Sequence, residues 1–64
     1  MAPHQERVVT EKAELDEKIA KLTEVTKGTI FAGLDYSERM RLETQLNYMQ
    51  GYSHVLGWRI DAFK

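Results

Sequence analysis

Sixty-four residues without a cysteine make one domain at most; disulfides and thiolate metal sites are excluded, and so short a chain struggles to bury enough surface without metal or oligomerisation. A hydrophobic content of 42%, a charged content of 30% and a formal charge of −1 describe an ordinary helical protein rather than a disordered one, and imply neither a nucleic-acid polymer partner nor acidic mimicry of DNA. No apolar run approaches the ~18 residues of a membrane span and no signal-like segment opens the chain, so a cytosolic protein is expected.

The first element predicted is a helix over about 3–26. Pro3 suits a first turn, where its missing N–H would be unpaired anyway. Val8, Leu15, Ile19 and Leu22 form an apolar seam at helical spacing, with Ala13 and Ala20 on a flank. The seam is thin, because Lys12 and Thr26 stand where apolar residues would complete it. Its other faces are charged, with Glu14–Lys18 and Glu17–Lys21 at the favourable i,i+4 spacing; each such pair contributes only ~0.2–0.5 kcal/mol. A solvated outer face accounts for these charges.

An elbow over about 28–35 follows. Gly28 is expected to end the first helix in the left-handed conformation. Thr29 to Leu34 reads as a short helical turn, with Ile30, Phe31 and Leu34 plugging the closed end of a hairpin. Asp35-Tyr36-Ser37-Glu38 has the form of a capping box, in which Asp35 accepts from the next helix's free amides and Glu38 reaches back. Asp35 is therefore a cap before it is an acid catalyst.

The second long helix is predicted over about 36–62, and it carries two apolar stripes. Leu42, Leu46, Met49, Leu56, Ile60 and Phe63 make one, with Ser53 inside it, where a hydroxyl can bond a backbone carbonyl. Tyr48, Gly51, Val55, Trp58 and Ala62 make the other, on a different face. One stripe packs on the first helix, and the second then has nothing left within the chain to cover it. The expected architecture is all-α: an antiparallel helical hairpin with a short helical elbow, residues 1–64 forming a single domain that assembles into a homo-oligomeric helical bundle through Tyr48, Gly51, Val55, Trp58 and Ala62. Close approach of another helix would explain Gly51; nothing in the pattern accounts for Gly57.

Catalytic chemistry is thinly represented. His4 and His54 lack any metal-ligand spacing, Ser37 and Ser53 lack a nucleophile-elbow context, and Gly28 and Gly33 do not form a phosphate-cradling loop. No enzyme activity, metal or cofactor is expected. Gln45, Tyr52 and Arg59 are more suggestive: spaced by sevens, they line the edge of the first seam, with Tyr48 one turn before Tyr52. A ring can stack on a base, a guanidinium can grip phosphate, and an amide can read a base edge or ribose. Arg39 and Arg41 add positive charge near the helix start, whose free amides favour anions. Against this stands the heavier structural reading, in which tyrosine and arginine flank a seam and bond between chains. Both hold together if the pocket forms between protomers.

The run Phe31-x-x-Leu34-x(4)-Arg39-x-x-Leu42-x-x-Gln45-x(3)-Met49-x-x-Tyr52-x(3)-Leu56-x-x-Arg59-Ile60-x-x-Phe63, with the charged stretch from Glu6 to Leu22, resembles a family of very short helical-hairpin proteins encoded by tailed phages. The resemblance covers most of the chain and implies an accessory phage gene product without enzyme activity. Small oligomeric helical phage proteins include sponges for nucleotide immune signals such as cyclic dinucleotides or cyclic ADP-ribose derivatives, an analogy of protein type rather than of binding motif. Gly51, Gly57 and Trp58 depart from the simple pattern.

The leading expectation is a non-enzymatic, oligomeric phage protein in the host bacterial cytosol. It would withhold a nucleotide-type signal from host defence, using Gln45, Tyr48, Tyr52, Arg59, Arg39 and Arg41. The alternatives are an inhibitor or adaptor that binds a host protein through the Tyr48–Trp58 stripe, and a structural oligomerisation module.

Overall fold

The computed structural model describes residues 1–63. Three helices follow one another: α1 (Pro3–Thr26), α2 (Thr29–Ala32) and α3 (Tyr36–Asp61). The long helices α1 and α3 lie side by side in a rod of 46 × 14 × 13 Å, and no strand occurs among the described residues. Their register is antiparallel: Lys12 lies beside Gly57, and Asp16, one turn later on α1, meets Ser53, one turn earlier on α3.

Helix α1 starts with Pro3 in its first turn, and the Ala2 N–H donates to Gln5 Oε1 at 2.9 Å. It ends without a left-handed residue. Lys27 caps it in a right-handed conformation, Gly28 is extended with φ −88°, and no described residue has positive φ. The expectation for Gly28 is thus corrected. The last turn tightens through Lys27 N–H to Glu24 O and Gly28 N–H to Val25 O, and Gly28 then serves as N-cap of α2.

At the closed end, Phe31 is buried and Leu34 half-buried, but Ile30 is 82% exposed and does not join the plug. A single helical turn can direct one large side chain inward while its neighbour, about 100° away, faces out. Asp35 caps α3 by accepting from the Glu38 N–H at 2.9 Å. The capping box is one-sided: the Glu38 carboxylate accepts from Arg41 Nε at 2.9 Å, so a charge-assisted bond takes the place of the return to the backbone.

The core is small. Val8, Phe31 and Leu56 are buried, Leu56 completely, and the rest of both seams is half-buried. Burying a side chain such as Leu56 contributes about 1.5–3 kcal/mol. Lys12, lying in the seam of α1, carries its ammonium 3.1 Å from Ser53 Oγ and 2.8 Å from Asp16 Oδ2. The Ser53 hydroxyl donates to Asp16, not to a backbone carbonyl as its place in the seam of α3 first indicates. This three-group network joins the two helices where an apolar contact would otherwise be. Of the two expected ion pairs on α1, Glu17–Lys21 is formed at 3.2 Å, and Glu14–Lys18 is not among the pairs of the described residues. No helix of the described residues is long and apolar enough to cross a membrane.

Candidate functional site on the outer face of α3

The helical period sends Leu56 toward α1 and leaves the opposite side of α3 bare. Tyr48 is 77% exposed and Trp58 63% exposed, against none for Leu56, one residue from Val55. Val55 and Tyr52 are also exposed. Gly51 lies in the middle of this face, and a Cβ added there would meet no atom within 4 Å. His54 packs edge-on to Trp58, with ring centroids 4.5 Å apart and planes at 66°. That i,i+4 contact steadies the indole without hiding it.

Tyr52 and Arg59 occupy the flank between this face and α1. The Tyr52 hydroxyl donates to the Glu11 carboxylate. That hydrogen bond holds the phenol above its ordinary pKa; desolvation and the Glu11 charge act in the same sense, and the positive charge of Arg59 opposes them. The ring is tethered at its oxygen and the residue is exposed, as a stacking platform has to be. Arg59 is exposed, two turns further along the same edge. Gln45 is exposed on the edge too, its amide directed at Met49 Sδ over 3.8 Å.

The six residues expected to bind ligand do not converge within one chain. At ~1.5 Å per residue, Arg39 and Arg59 stand about 30 Å apart along α3. Arg41 is engaged by Glu38, and Arg39 is half-buried, with its Nε buried and without a hydrogen-bond partner among the described residues. Tyr52 and Arg59 form one group; Arg39 and Arg41 form another, near the elbow. A concavity among the described residues lies elsewhere, on α1 between Pro3, Glu6, Arg7, Thr10, Glu11 and Glu14. Three carboxylates against one guanidinium make it an unfavourable seat for phosphate.

Three contacts escape the sequence patterns: the Lys12–Asp16–Ser53 network, the Glu11–Tyr52 bond and the His54–Trp58 pair. The first had a signal, since Lys12 and Ser53 are each the polar interruption in an apolar seam. Two such interruptions in antiparallel helices can be matched by register. No group of three or more potential metal-ligating side chains is assembled among the described residues.

Residues 2–62 match the protein family described as Sequestin. The chain belongs to the Sequestin family. The match takes in both long helices and the elbow, and with them the Tyr48–Trp58 face and the Tyr52–Arg59 edge. No curated protein and no solved structure matches this Sequestin-family chain.

Proposed function

We propose that this Sequestin-family chain is a non-enzymatic binding protein of tailed-phage origin. In the host cytosol it would assemble with copies of itself and withhold a nucleotide-type immune signal, a cyclic dinucleotide or a cyclic ADP-ribose derivative, from the host's defence. Membership of a family described as Sequestin supports the sequestering role. The observation that carries the nucleotide reading is the pairing of an exposed, tethered Tyr52 with the exposed Arg59 on one edge of α3. A base would stack on the ring and a phosphate would take the guanidinium fork.

The test is thermal denaturation with a panel of cyclic dinucleotides and ADP-ribose derivatives. A ligand that prefers the native state stabilises it by ~2.7 kcal/mol at a hundred times its dissociation constant. No shift with any member, beside a host protein recovered by pull-down, would replace this reading with that of a protein-binding inhibitor or adaptor. The exposure of Tyr48 and Trp58 is what favours that second reading. A structural oligomerisation module remains if neither ligand nor host protein is captured.

A further inference from the structure

The outer stripe of α3 has an internal order that its apolar character alone does not require. About Val55, the stripe extends four residues back to Gly51 and seven to Tyr48, and three residues forward to Trp58 and seven to Ala62. Each large ring thus has a small residue at nearly the same distance on the other side of Val55: Trp58 is matched by Gly51, and Tyr48 by Ala62. Ala62 continues the right-handed geometry of α3, so the stripe is unbroken to its end. The notch at Gly51 is open, and two turns further along the stripe His54 packs edge-on to the Trp58 ring.

We propose that a second copy of this chain covers this face, its α3 antiparallel to the first about a two-fold axis at Val55, with Trp58 of each copy seated over Gly51 of the other and Tyr48 over Ala62. Large side chains then fill the gaps left by small ones, which lets two helices approach closely without voids. Val55 meets its own equivalent on the axis, as an isologous contact requires. The exposed parts of Tyr48, Tyr52, Val55 and Trp58 amount to roughly 300–500 Å² per chain, taking 150–250 Å² for a whole aromatic side chain. Doubled over two copies and joined by the flanking His54, Arg59 and Ala62, this reaches the ~1,200 Å² at which specific interfaces begin. Antiparallel packing also opposes the two helix dipoles, and the two Arg59 side chains stay about 12 Å apart along the axes, beyond effective repulsion at ordinary ionic strength.

The same register brings Tyr52 of one copy within one residue of Arg59 of the other, on one side of the paired helices, so a nucleotide pocket built on this edge would be shared between chains. This consequence rests on the ligand reading above; the pairing itself does not.

Cross-linking reads the pairing without any ligand. The chain has no cysteine, so single cysteines report cleanly. Val55→Cys should form a covalent dimer under mild oxidation. Gly51→Cys should not, because its symmetry mate lies about 12 Å away along the axis, well past the ~7 Å limit between Cα atoms of a disulfide. Gly51→Leu should weaken association at least about tenfold by sedimentation while keeping its helicity, since within one chain the added side chain meets open space. Cross-linking of Gly51→Cys as efficient as that of Val55→Cys would establish a parallel pair. A Val55→Cys chain that stays uncross-linked, or a Gly51→Leu chain that associates as the parent does, would equally overturn the proposal.

Discussion

The aliphatic stem of Lys12 lies against the bare backbone of Gly57: a Cβ on residue 57 would stand 3.4 Å from Lys12 Cε. The stem cannot swing freely away, because its ammonium is held by Ser53 and Asp16. A glycine otherwise unfavourable in mid-helix is thereby given a packing reason on the α1 side, just as Gly51 has open space on the other.

Gly57→Ala should therefore recover less than the ~1 kcal/mol that glycine-to-alanine replacement gives in an exposed helix. In a Lys12→Ala background the whole gain should appear. Urea denaturation of the four proteins of this cycle measures the coupling directly. A full gain in the presence of Lys12 would show that the contact exerts no pressure.

Ser53→Ala should destabilise the hairpin by about 1–2 kcal/mol, because a buried hydroxyl that bridges Lys12 and Asp16 is removed and its partners are left behind. Adding Lys12→Leu should restore most of the loss, since both sides of the seam are then apolar. If the double variant is less stable than Ser53→Ala, the ammonium serves another contact.

Stability should fall at both extremes of pH, for opposite reasons. The hydrogen bond from Lys12, then that from Ser53, holds Asp16 below its ordinary value of 3.8. Its contribution is present above that value and lost as pH falls through the lower folded one. Tyr52 is raised above its ordinary 10.0, first by its bond to Glu11, so its contribution is present below pH 10 and lost as pH rises through the higher folded value. Asp16→Asn should flatten the acid limb of a plot of urea midpoint against pH, and Tyr52→Phe the alkaline limb. An unchanged limb in either variant would detach that group from the titration.

For ligand binding, Arg59→Lys should weaken affinity although it keeps the charge, because an ammonium cannot reproduce the planar fork. Tyr52→Leu should weaken it about tenfold or more by removing the stacking surface. Arg41→Gln, far along the helix, should leave affinity within about twofold if the pocket is at Tyr52 and Arg59. Calorimetric titration of the three variants distinguishes this arrangement from one centred near the elbow, which would reverse the order.

The helical pattern was legible because a buried seam leaves a period in the sequence. Leu42, Leu46, Met49, Leu56, Ile60 and Phe63 are all buried or half-buried, and so are Val8, Leu15, Ile19 and Leu22 opposite them. The elbow was less legible: Ile30 and Phe31 are adjacent and equally apolar, and their orientation depends on how one helical turn is set between two longer helices. Of the candidate site, the exposure of Tyr48, Tyr52, Val55 and Trp58 could be read from phase alone. The tether of Tyr52 to Glu11 could not, because it depends on interhelical register across 41 residues. The separation of Arg39 and Arg41 from Arg59 follows from helix length and needs no tertiary information.

A chain reversal in which every described residue keeps a negative φ makes no stereochemical demand for glycine. Added Cβ atoms at Gly28 and Gly33 would meet their nearest neighbours at 3.5 and 3.6 Å, ordinary contact distances. Both glycines are thus free to be recoded, and an alanine at either should favour the native hairpin by about 0.4–1 kcal/mol, chiefly by narrowing the conformations open to the unfolded chain. The bend of this protein is a place where its sequence can drift without its shape following.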